Sequence, residues 1–86
     1  MRSPALNVRE ARRFIERTPG DIRGYFILAS ALALYGDEEG ASMVSGALLR
    51  LQPTFSIAWM TENLPWSGDI GDRLKDGLRQ AGIPEQ

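Results

Sequence analysis

Two stretches, "TPGDIRGYF" (18–26) and "QPTFSIAWM" (52–60), decide how this chain is read. Each sets a proline six residues before a large aromatic. Pro19 and Pro53 lie 34 positions apart, and so do Tyr25 and Trp59. Two different residue types sharing one offset predict an internal repeat, and the segments between them predict what is repeated.

Between the two prolines the sequence reads as a pair of helices. Asp21 is placed to cap the first of them. Ile22, Tyr25, Leu28, Ala29 and Leu32 then recur at helical spacing. Phe26, Ile27, Ala31 and Leu34 make the other sides of this helix apolar too. A helix apolar nearly all round is covered on more than one face, which places it in the middle of the molecule. "GDEEGA" (36–41) breaks the chain: Gly36 suits a left-handed position after a helix, and Asp37 caps the next one, with Glu38 and Glu39 complementing its positive end. Ala41, Val44, Leu48 and Leu51 form the expected inward stripe of that second helix. Gly46 inside it costs about 1 kcal/mol relative to Ala, and close approach of a neighbouring backbone is the expected compensation.

Outside this pair the signals are shorter. Ser3-Pro4 or Asn7 opens a preceding helix, whose Val8, Ala11, Phe14 and Ile15 fall on one side before Pro19-Gly20 stops it. A short helix follows Pro53, capped by Thr54 or Ser56 and ended by Pro65. A last helix starts at Ser67 or Asp69, carries Ile70, Leu74, Leu78 and Ala81, and stops at Gly82 and Pro84. No segment alternates as a strand does. The expected fold is all-α, with about five helices in one domain spanning residues 1–86.

The central pair resembles a tetratricopeptide repeat, W-x2-L-G-x2-Y, then A-x3-F, then P in a 34-residue unit. Counting back from Pro53, the pattern's places hold Tyr25, Leu28, Ala29, Leu32, Ala41, Ser45 and Pro53, and Ser45 is the one clear departure. The steric logic is that small residues at 29 and 41 let two antiparallel helices approach closely. The reading is therefore a tetratricopeptide-like helical hairpin, one full repeat at about 22–53 with partial repeats flanking it. Residues 4–18 take the second-helix place of a preceding unit, and Trp59 starts a following unit that fails at Glu62, Asn63 and Pro65.

The C-terminal half is similar to something narrower. "LQPTF" (51–55), "LPW" (64–66) and "GLRQAGIPE" (77–85) resemble the closing segments of the tetratricopeptide-like tails of bacterial class III adenylate/guanylate cyclases and of related winged-helix regulators. The resemblance covers roughly residues 8–86 and extends to no cyclase domain, winged helix or earlier repeats. It implies a protein-interaction or regulatory role and no cyclase activity.

Composition narrows the chemistry. Of 86 residues, 43% are hydrophobic and 24% charged, the balance of a globular chain. There is no Cys and no His, which removes disulfides, thiol chemistry and the commonest general base and metal ligand. The longest apolar run, 25–35, is too short to span a bilayer, and no secretory signal opens the chain. A cytoplasmic protein without membrane contact is expected. Asp69, Asp72 and Asp76 line up at helical spacing near Glu62, but read better as a cap and a solvated face than as a metal site. "WSGDIG" (66–71) lacks the strand and the Lys-Ser/Thr of a phosphate loop. Trp59 and Trp66 read as core and turn anchors rather than a ligand shelf. Glu38 and Glu39 are adjacent, which points them to different sides of a helix. No enzyme, cofactor or metal is expected.

Two functions remain. Repeat arrays bind partners on the surface lined by their first helices; here that surface is expected to present Arg23, Phe26, Ser30, Ala33, Ile57 and Met60 to a protein or peptide. The alternative is a small nucleic-acid-binding helical protein. Residues 1–23 carry six Arg against three acids, whereas residues 24–86 carry four basic residues against eight acids. Arg9, Arg12, Arg13 and Arg17 would supply the contact, although Glu10 and Glu16 interleave with them and make a solvated face the simpler reading. The first helix is expected to lack the preceding helix it would pack against, so its apolar stripe is expected to stay partly open and to make a homodimer, with a monomer whose C-terminal helix covers the gap as the alternative.

Overall fold

A computed structural model describes residues 8–63 and 68–86, Ile70 by its backbone alone. Within them the chain forms five helices and no strand: α1 (Val8–Arg17), α2 (Ile22–Leu34), α3 (Glu38–Leu51), α4 (Ile57–Asn63) and α5 (Gly68–Gln80). The all-α fold expected from the sequence is the fold observed. The expected starts at Ser3, Pro4, Asn7 and Ser67, the stop at Pro65 and the anchor at Trp66 lie outside the described residues. No described helix is long and apolar enough to cross a membrane.

Local chemistry sets the helix ends. The Asp21 side chain accepts from the Arg23 N–H at 2.9 Å and caps α2. Its last turn closes around Gly36, whose φ of 91° is open to glycine at little cost. There the Asp37 N–H donates to the Leu32 carbonyl and the Gly36 N–H to the Ala33 carbonyl, the paired bonds of a Schellman turn. Asp37 in turn caps α3 by accepting from the Gly40 N–H at 2.9 Å. Ser56 caps α4 through the Trp59 N–H at 3.0 Å.

Helix α2 is the centre of the molecule. It packs against α3, α5 and α1, which is why its apolar residues run round the whole cylinder. Phe26, Leu28, Ala29, Leu32 and Ala33 from α2 share one core with Ala41 and Leu48 of α3, Phe55, Ile57 and Met60 around α4, and Leu74 and Leu78 of α5. Ala29 and Ala41 are fully buried in it. Burial of apolar area at about 25 cal/mol per Å² is the main driving term for such a core.

Two expectations about α3 are corrected. Leu51 does not join the inward stripe; it is 44% exposed, at the end of the helix. Gly46 meets no neighbouring backbone, since a Cβ built there finds only the Arg50 Nη1 atom, at 3.9 Å. The close approach is instead at Gly77 of α5, which lies against the backbone of Ser30.

The apolar side of α1 is partly covered and partly open, as expected. Ala11 is buried, Val8 and Ile15 pack on the core, and Phe14 is half-buried. Gly24 has no side chain to hold α1 away, so Ile15 and Phe14 settle onto α2. The Arg23 guanidinium covers the Phe14 ring with its carbon 5.5 Å from the centroid. The stripe that motivated a homodimer through α1 is thus partly covered by its own chain, with only Ala11 buried.

Candidate functional site

The six residues expected to face a partner fall into two groups. Arg23 is exposed and forms an ion pair with Asp21, Nη2 to Oδ2 at 2.6 Å. Phe26, Ser30, Ala33, Ile57 and Met60 are buried. The expected presentation of these five is thus corrected. Phe26, Ala33, Ile57 and Met60 do come together, but as members of the core. Phe26 stacks on Phe55 with ring centroids 5.7 Å apart, and Phe55 contacts Trp59 in a tilted arrangement at 5.5 Å.

The occupant of that face is α5. Its Leu74 and Leu78 are fully buried, and the Ser30 hydroxyl donates to the Arg73 and Leu74 carbonyls at 3.3 Å each. Helix carbonyls already bonded along the ladder have a second lone pair for such a donor. The absence of a side chain at Gly77 is what lets Ser30 reach the α5 backbone.

The segment after α5 locks it in place. Gly82 takes φ 96°, and the Ile83 N–H donates to the Leu78 carbonyl while the Gly82 N–H donates to that of Arg79. Ile83 is buried with Leu78, the apolar contact that accompanies this turn. Beyond it the Pro84 carbonyl accepts from the Ile57 N–H and the Glu85 carbonyl from the Ala58 N–H, both at 2.9 Å. The Glu85 carboxylate pairs with Arg79 at 2.6 Å. That hydrogen bond raises the already high pKa of the Arg79 guanidinium. Nearly every position of "GLRQAGIPE" therefore has a part in packing or turn formation.

Among the described residues the large apolar side chains that remain outward sit elsewhere. Leu34 and Tyr35, at the corner between α2 and α3, are 39% and 70% exposed. Met43 on α3 is 73% exposed, on a face it shares with Glu39, Gly46 and Arg50. The sequence reading missed this face. Its signal was available: 39, 43, 46 and 50 are spaced 4-3-4 and lie opposite Ala41, Ser45 and Leu48 on a 3.6-residue helix. On α1, Arg9, Arg12, Arg13 and Arg17 are all exposed, with Arg13 3.7 Å from Glu10.

Among the described residues no group of three or more acids is placed to hold a metal ion. Asp76 pairs with Arg79 at 3.3 Å, and Asp69 and Asp72 are exposed. Comparison with family models, with curated proteins and with solved structures finds no match to this chain.

Proposed function

We propose that the chain is a protein-interaction and regulatory module, built on one tetratricopeptide-like hairpin like those in the tails of bacterial nucleotide cyclases, and that it acts without turnover. The hairpin reading draws support from Ala29 and Ala41, small residues fully buried in the core that α2 and α3 share. The interaction reading rests on one observation: the corner between those helices holds Leu34 and Tyr35 side by side in solvent. An aromatic with a polar tip beside an aliphatic residue suits a protein contact, where tyrosine is enriched. The contact point thus moves from the buried face of α2 to its end.

A photo-crosslinking amino acid at position 35, with a matched probe at Asp72, tests this in the native cell. A protein adduct specific to position 35 supports the reading, and equal labelling from both positions removes it. A second reading, nucleic-acid binding, is favoured by the exposure of Arg9, Arg12, Arg13 and Arg17 on one short helix. It predicts duplex binding that weakens steeply with salt and is lost when Arg12 and Arg13 become Ala.

A further inference from the structure

The outward face of α3 is complementary to itself. Glu39, Met43, Gly46 and Arg50 form one stripe at 4-3-4 spacing, the seam along which two helices pack side by side. Met43 projects from it as the most exposed large apolar side chain of the described residues. Three residues on, Gly46 leaves a notch: the space where its Cβ would stand is empty except for the Arg50 guanidinium at 3.9 Å. Among the described residues neither Glu39 nor Arg50 has an ion pair.

We propose that a second copy of this chain docks on this face, α3 against α3 in antiparallel orientation about a two-fold axis. In the register that sets residue 39 opposite 50, residue 43 also falls opposite 46. Each Met43 then enters the notch at Gly46 of the other copy, and Glu39 of each meets Arg50 of the other. Both contacts occur twice, as a two-fold interface requires. Charge complementarity selects the antiparallel orientation, because a parallel pairing sets Glu39 against Glu39 and Arg50 against Arg50. The glycine inside α3, costly to the isolated helix and unused by its own chain, acquires a role. This self-contact is independent of the Leu34–Tyr35 corner and of any other partner.

One helix face of this length makes an interface at the weak end of the specific range, so the dissociation constant is on the order of 100 µM to 1 mM. The test is sedimentation equilibrium of the full chain from about 10 µM to about 2 mM, at low and high salt, spanning that constant on both sides. The wild type associates to a dimer, less so at high salt. Glu39→Arg and Arg50→Glu each weaken association about tenfold or more, and the double exchange restores it. Gly46→Gln fills the notch and abolishes the dimer while leaving the monomer folded, since the added Cβ meets only the flexible end of Arg50, at 3.9 Å. It keeps the test decisive if charge reversal near the helix ends disturbs α3. A wild-type chain monomeric throughout the range overturns the proposal. So does a dimer that Gly46→Gln leaves intact, or one that the paired exchange fails to restore among folded variants.

Discussion

Gly77 of α5 lies against Ser30 of α2 so closely that a Cβ at position 77 would stand 2.6 Å from the Ser30 carbonyl oxygen and 2.8 Å from its Cα. Real Cβ atoms essentially never come that near, and the obstacle is the Ser30 backbone as well as its hydroxyl, which sits nearer still. Gly77→Ala therefore separates α5 from α2 despite the gain of about 1 kcal/mol in helix propensity. The net expectation is a loss of about 1–3 kcal/mol, read as a lower urea midpoint. Gly46→Ala is the counterpart. Its Cβ enters open space, so the propensity gain stands alone and stability rises by about 0.5–1 kcal/mol. If both substitutions move the midpoint the same way, the packing of α5 on α2 described above is wrong.

That contact also marks where the sequence stops being readable. Asp21, Gly36 and Asp37 announce the ends of α2 and α3 because caps act within a turn or two of the chain. The all-round apolar character of α2 announces a central helix, and three helices do cover it. Which helices cover which side depends on residues more than forty positions apart, and no local periodicity carries that. "GLRQAGIPE" is conspicuous in the sequence, but its place in the fold comes from Ser30, Leu78 and the first turn of α4. Ser30 itself, a small polar residue in an apolar helix, reads equally as a solvent-facing position or as one that meets a backbone. The expected exposure of Ser30 failed on that ambiguity, and that of Phe26, Ala33, Ile57 and Met60 on the packing of the core around them. Leu51 failed for another reason: helical period continues to the end of α3 after the neighbouring helix has stopped covering it.

Ser45 is buried, and its hydroxyl has no partner among the described residues. A buried hydroxyl without a hydrogen bond costs about 1–3 kcal/mol in desolvation. Ser45→Ala removes that group and adds helix propensity, so it stabilises the fold by about 0.5–1.5 kcal/mol. Ser45→Phe, which restores the repeat pattern at this place, overpacks a site closed at Ala41 and Leu48 and destabilises by about 1–3 kcal/mol. Thermal melts of the two variants check both signs. A destabilised Ser45→Ala would mean that the hydroxyl has a partner in solution.

The pH dependence of the α2 cap has a definite sign. The Arg23 guanidinium, and after it the Arg23 N–H, hold the Asp21 carboxyl below its ordinary value of 3.8. A depressed folded-state pKa contributes stability that is present above the unfolded value and is lost as pH falls through 3.8 and below. Asp21→Asn keeps a side-chain oxygen for the cap and removes the charge. The wild type is then the more stable of the two at neutral pH, by a small margin for so open a pair. The gap closes as pH falls through 3.8 and below. Urea midpoints of both proteins across that window measure it, and a gap constant with pH would show that the pair does not titrate as described.

Helix α4 has seven residues, too few to be stable by propensity alone. Its first N–H groups find acceptors in the segment that follows α5: Ile57 donates to the Pro84 carbonyl and Ala58 to the Glu85 carbonyl. Both bonds use main-chain oxygens, so the identity of the side chains matters little and the presence of the chain matters greatly. Removing residues 84–86 returns these two amides to water and speeds their hydrogen exchange by about tenfold or more, while the amides of the α2–α3 pair change less. Pro84→Ala retains the carbonyl and leaves the two amides protected. Exchange followed residue by residue by NMR separates the cases. Unchanged protection of Ile57 and Ala58 after the deletion would show that Ser56 and the core hold α4 unaided. An equal loss of protection at every amide would show instead that the strap supports the whole fold rather than this one helix.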